Sequence, residues 1–211
     1  MLHELRIYTF RAGQAPLAAK NSGTVARDIR GDDYGKLEGY WLPEIGPLNQ
    51  VMHLWSYDSY ADREEKRKAL SQNERWTGEY LPLIRPILLR QDIRLMNPII
   101  GPKAPEGEGN IYEFRYYRLQ PGALKRWVDL FTNALTVREK YSKIVGLWTT
   151  EAGQPNEVCH IWGYKDFATR MEARGAAAQD PGWQAFLKEG GPLIDEMNSV
   201  LMLPSAHSPL K

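Results

Sequence analysis

The chain has one cysteine in 211 residues, Cys159, so it can form no internal disulfide and no cysteine-based zinc site. It has almost no net charge, +1 at neutral pH, and therefore no long-range pull toward nucleic acid or anionic membrane. Its apolar runs fall far short of the ~20 residues a spanning helix needs. MLHELRIYTF lacks the basic-then-apolar order of a secretory signal. It has no Walker loop, dinucleotide fingerprint, nucleophile elbow or zinc motif. The expectation is a cytoplasmic protein with no metal, no cofactor, no nucleic-acid partner and no membrane span. What remains is ordinary for a globular chain: 43% apolar and 25% charged residues, with seven tryptophans.

The tryptophans lead to a duplication. NQVMHLWSY (49–57) returns as NEVCHIWGY (156–164), with Asn, Val, His, Trp and Tyr identical and Leu54 exchanged for Ile161. HELRIYTFRAG (3–13) returns as YEFRYYRLQPG (112–122), keeping Glu4/Glu113, Arg6/Arg115, Tyr8/Tyr117 and Gly13/Gly122. Gly39 and Trp41 recur as Gly146 and Trp148, Arg63 and Arg67 as Arg170 and Arg174, and Trp76 as Trp183. The order is kept throughout. Two units are expected, at 1–97 and 111–204, with a Pro/Gly-rich linker at 98–110 and a tail at 205–211.

Within a unit, residues 3–10 alternate as a strand, and 123–141 carry apolar residues at helical spacing. The matching stretch at 14–30 is interrupted by Gly23. Residues 36–42 and 49–57 read as a hairpin, 58–70 as a helix capped by Asp58, and 87–96 as a closing strand. The order β-α-β-β-α-β is the ferredoxin-like unit. Its sheet has one face left bare by the helices. The fold expected is α+β, with two such units stacked sheet to sheet as an intrachain α/β barrel, and the second copy covers the bare face of the first.

The combined pattern, E-L/F-R-x-Y, G-x-W, N-x-V-x-H-x-W-x-Y, an Arg-bearing helix and a late Trp, resembles the NIPSNAP family. The resemblance implies the dimeric α/β-barrel fold, with two units in one chain, and a biochemical role that is poorly defined. The wider superfamily it implies includes haem-binding members and cofactor-independent oxygenases.

Alternation sorts the repeated side chains. Leu5, Ile7, Met52 and Leu54 share the more uniformly apolar face, expected under the helices, with Cys159 as an inert thiol on the matching face of the second copy. Glu4, Arg6, Tyr8, His53, Trp55 and Tyr57 share the other, expected to point between the sheets. The candidate ligand-binding residues are Arg6, Tyr8, His53 and Trp55, with Arg115, Tyr117, His160 and Trp162 in the second copy. Arg would take an anionic group, and His53 and His160 are the candidate catalytic residues. One His per copy, without a second ligand at metal spacing, argues against metal or haem. The leading expectation is a small-molecule-binding protein with its ligand in the barrel interior. The alternatives are a cofactor-independent oxygenase with a histidine base, and a structural or interaction module whose interior is all interface. Trp41, Trp148, Trp76 and Trp183 read as packing anchors, and the helix arginines as a solvated face or a basic rim at a pocket mouth. A homo-oligomer is compatible with all of these.

Overall fold

The computed structural model describes residues 1–107 and 109–211, so Glu108 of the expected linker lies outside the described residues. The first unit runs β1 (Leu2–Phe10), α1 (Ala15–Asn21), a π-turn (Ser22–Ala26), α2 (Arg27–Arg30), β2 (Lys36–Ile45), β3 (Gln50–Tyr57), α3 (Tyr60–Gln72), a second π-turn (Trp76–Tyr80), α4 (Leu81–Ile84) and β4 (Leu88–Ile100). The second runs β5 (Ile111–Leu119), α5 (Leu124–Arg138), β6 (Ile144–Ala152), β7 (Glu157–Tyr164), α6 (Phe167–Gln179), α7 (Pro181–Gly190) and β8 (Ile194–Pro204). All eight strands close into one barrel in the order β1-β3-β2-β8-β5-β7-β6-β4. The units meet at two seams, β2 with β8 and β4 with β6, each joining a second strand to the other copy's fourth. Closure leaves neither sheet with a free edge.

Local chemistry explains the repeated motifs. Asn49 and Asn156 open theirs because both sit at positive φ, 55° and 61°, in the left-handed region that asparagine tolerates better than most residues. Asn49 also accepts a bond from the Gly13 amide through its side chain, at 2.8 Å. The G-x-W pairs are packing devices: each Trp ring lies back over its own glycine, so a Cβ at Gly39 or Gly146 would overlap the ring of Trp41 or Trp148. Helix α3 is capped by Ser59, whose hydroxyl accepts from the Asp62 amide, rather than by Asp58. Asp166 does the same for α6, accepting from Thr169. Strand β4 runs to Ile100, into the expected linker. The tail is docked rather than loose. Its Ser205 amide donates to the Tyr40 carbonyl, and the Tyr40 amide donates to Ser208 Oγ.

The two strand faces point opposite to the expectation. Leu5, Met52, Leu54, Phe114, Cys159 and Ile161 fill the barrel together with Trp41 and Trp148, drawing on both units. Trp148 reaches across the seam and donates from Nε1 to His3 Nδ1 at 2.5 Å. The Glu/Arg/Tyr and His/Trp/Tyr faces instead lie beneath the helices, in one core per unit. The physical reason is desolvation. Eight strands converge on the barrel axis and exclude water there, where charge is costly to bury. The space between sheet and helices opens at its edge, and the helices supply partners for the charges. Helix α3 buries only Leu70 among its thirteen residues, as befits a helix laid over a charged face.

Candidate functional site

Each unit holds a cleft between its sheet and its helices. In the first, β1 and β3 place Arg6 opposite His53 and Glu4 opposite Trp55. Glu4 is buried, pairs with Arg6 and accepts from Arg63 Nε at 2.8 Å. Burial pushes its carboxyl up, but the Arg63 bonds and the nearby arginine charges outweigh this and hold it below the usual range. Arg6 Nε donates to the Tyr8 hydroxyl at 2.5 Å. The second unit repeats the arrangement. Glu113 accepts from Arg115, Arg170 and Ser199, and its carboxyl is lowered to about 2 despite burial. Arg63 and Arg170 neutralise the buried glutamates and Arg67 and Arg174 line the clefts, although Arg174 also reaches Glu113 at 3.7 Å.

The histidine geometry bears on chemistry. Trp55 Nε1 donates to His53 Nδ1 at 2.5 Å, and Trp162 Nε1 donates to His160 Nδ1 at 2.6 Å. A neutral imidazole has one ring-plane lone pair, and in both cases the tryptophan engages it. Each ring then presents Nε2–H, a donor rather than a base or a metal ligand. Protonation is opposed as well. Burial, followed by the charges of Arg6, Arg30 and Arg67, pushes His53 well below its usual value. Burial and Arg115 bring His160 to about 3. The histidines therefore do not fit a haem or metal ligand role. Among the described residues no group of three or more His, Cys, Asp or Glu could hold a metal ion.

The first cleft encloses about 380 Å³ and is lined by all four candidates of that unit, Arg6, Tyr8, His53 and Trp55. Apart from Arg67 and Trp76, its other walls are residues that sequence reasoning did not single out. Tyr40 stacks on His53 at 5.2 Å, and Tyr80 and Ser22 also line the cleft. Arg30 lies 3.5 Å above the Trp55 ring, is 4% exposed, and donates to the Tyr34 carbonyl at 2.7 Å. Among the described residues no carboxylate pairs with it, and its Nε has no partner. Burial lowers it to about 10. Both π-turns line this cleft, and such turns often mark functional sites. The one signal for Arg30 in the sequence was the charged run that follows the interrupted helix.

The second cleft, about 300 Å³, is lined by Arg115, Tyr117, His160 and Trp162, the other four candidates. The eight residues thus line two separate clefts, and none of them lines the barrel core. Trp76 and Trp183 turn out to be cleft walls, whereas Trp41 and Trp148 are fully buried core. Cys159 is buried in the barrel, where burial and Glu157 push its thiol far up.

Two matching halves, each carrying the same Glu-Arg-Tyr strand and Trp-locked histidine, coincide with two matches to one family model, NIPSNAP, over residues 3–100 and 112–209. The chain belongs to the NIPSNAP family. It is 32% identical to human NipSnap homolog 3A over 183 residues, covering 84% of this chain and 74% of that protein. It is also 32% identical to zebrafish NipSnap homolog 1 over 196 residues, 91% of this chain and 70% of that one. Among solved structures, a candidate monooxygenase from Fusobacterium nucleatum superposes with a TM-score of 0.72 at 11% identity, covering 97% of this NIPSNAP chain and 92% of its own. Another from Lactobacillus acidophilus gives 0.70 at 10%, over 97% and 94%. At such identities the likeness is one of fold alone. No helix among the described residues is long and apolar enough to cross a membrane.

Proposed function

We propose that this NIPSNAP protein binds a small organic anion in the cleft of its first unit, between sheet and helices. The observation that carries the reading is Arg30, a nearly buried guanidinium at the cleft wall with no carboxylate partner among the described residues. A buried charge of this kind is costly unless something pairs with it. Arg67, half-buried at the same cleft, also makes no ion pair among the described residues. The phenols of Tyr8, Tyr40 and Tyr80 and the Trp55 and Trp76 rings suit a flat body attached to the anionic group. His53, neutral and presenting Nε2–H, adds a donor and not a base.

The test is titration with 2-naphthoate, followed through the indole N–H signals of Trp55 and Trp76 in nitrogen-15 spectra. Wild type should show saturable shifts. Arg30→Gln should weaken binding by roughly 10- to 100-fold, the range for losing a charge-assisted bond, with the fold intact. Equal affinity in the variant would overturn the reading.

A further inference from the structure

The first cleft carries more positive charge than a single carboxylate would balance. Arg6, Arg27, Arg30, Arg67 and Arg85 all line it, and no Asp or Glu does. Arg6 and Arg27 have carboxylate partners, Glu4 and Asp32, neither of which lines the cleft. Arg30, Arg67 and Arg85 have none among the described residues. Arg30 is nearly buried, but Arg67 is half-buried and Arg85 is exposed, so these two retain accessible surface.

The charges also act on one another. Burial is the main cause of the low Arg30 value, and the Arg67 charge lowers it further. After burial, the charges of Arg6, Arg30 and Arg67 all oppose protonation of His53, so the three converge on one part of the cleft. Like charges held together in a water-poor cleft repel, and a ligand with more than one negative charge relieves that repulsion.

The second cleft lacks this imbalance. Arg115, Arg138 and Arg174 line it, with Asp195 also in the wall. Arg115 and Arg174 both reach Glu113, at 2.6 and 3.7 Å. Among the described residues only Arg138 of these three lacks a carboxylate partner.

We propose, resting on the anion reading of the first cleft, that its ligand is a flat aromatic molecule bearing a doubly charged phosphoryl group, with Arg67 adding to Arg30 the positive charge that a dianion needs. Such a group offers three acceptor oxygens, which suits several planar guanidinium donors. The second cleft does not share this preference.

The experiment titrates the full chain at pH 8.5 with naphthalene-2-phosphonate, doubly charged there, and with naphthalene-2-sulfonate, which has the same rings and tetrahedral oxygens but one charge. The indole N–H signals of Trp55 and Trp76 report on the first cleft, and those of Trp162 and Trp183 on the second. The phosphonate should shift Trp55 and Trp76 and bind about tenfold more tightly than the sulfonate, the effect of one further charge-assisted contact. Arg67→Gln should bring the two affinities close together, and Arg67→Lys, which keeps the charge, should retain most of the difference. Equal affinities in wild type, an unchanged ratio in Arg67→Gln, or phosphonate shifts confined to Trp162 and Trp183 would each overturn the proposal. If the sulfonate and 2-naphthoate shift Trp55 and Trp76 and the phosphonate gains nothing over them, the anion reading stands and this one falls. If no anion shifts those signals, both fall.

Discussion

Replacing Glu113 by Gln should be among the most destabilising isosteric changes in this protein, and its cost should fall with acidity. Glu113 is fully buried and accepts from Arg115 Nη1 at 2.6 Å, Arg170 Nη2 at 2.8 Å and Ser199 Oγ at 2.7 Å. Its carboxyl is lowered from 4.5 to about 2. At 1.36 kcal/mol per pH unit, that depression is worth about 3 kcal/mol of stability at neutral pH. Because the folded value is the lower one, the contribution is complete above the ordinary carboxyl value. It disappears as pH falls through 4.5 toward 2, and by pH 3 only about 1 kcal/mol of it remains. Urea unfolding of wild type and Glu113→Gln at pH 7 and pH 3 isolates this term, since every other titrating group is common to both proteins. The stability gap should shrink by about 2 kcal/mol between the two conditions. A gap that stays constant with pH would show that the cost of the substitution is steric and that the charge network contributes nothing.

Two further substitutions and one reagent probe the barrel core. Gly39→Ala should destabilise by several kcal/mol, because the new Cβ overlaps the Trp41 ring and displaces it from a packed interior, whereas Gly78→Ala has open space and should change stability little; equal midpoints in thermal melts would refute the packing role of G-x-W. Trp148→Phe should cost about 1–3 kcal/mol by leaving His3 without its indole donor, measurable in urea, and a neutral result would mean that the cross-seam bond is inert. Cys159 should react with a disulfide reagent only at the rate of unfolding, since its thiol is buried and burial opposes the thiolate; rapid labelling of the native protein would contradict its placement.

Strand existence, the internal repeat and which residues share a face were all legible, because a period of two and a duplicated motif are local properties of the chain. Which way a face points was not. Periodicity groups Glu4 with Arg6, Tyr8, His53 and Trp55 without saying whether helices or a second sheet cover them. The deciding partner lies more than fifty residues away: Arg63 on α3 completes the Glu4 pair, as Arg170 on α6 completes that of Glu113. The pairing was foreshadowed by the repeat of both arginines and by the scarcity of apolar residues in 58–70, a composition suited to covering charge. Gly23 read only as an interruption. In the fold it sits in the π-turn, where a Cβ would stand 2.6 Å from Nδ1 of His207, a residue of the tail. No local pattern could reveal a contact between the start and the end of the chain.

That contact also bears on why the two clefts differ. His207 packs on Tyr40 at 4.4 Å, and Tyr40 stacks on His53, so the tail that follows the second unit props a wall of the first unit's cleft. The strands of the two units are held alike because the barrel needs them to mate at both seams, and a change on one strand disturbs a neighbour from the other copy. The helices face no such demand. Small residues and two π-turns open the first cleft, while Trp127 and Phe131 on a regular α5 narrow the second. Each cleft nevertheless keeps a buried arginine over the motif tryptophan, Arg30 over Trp55 and Arg138 over Trp162. A guanidinium on an indole face is stabilised without a carboxylate and so stays available to a ligand oxygen. On this reasoning the strand motif supplies a shared means of meeting an oxygen-bearing group, and the helices decide what kind of molecule can bring it there.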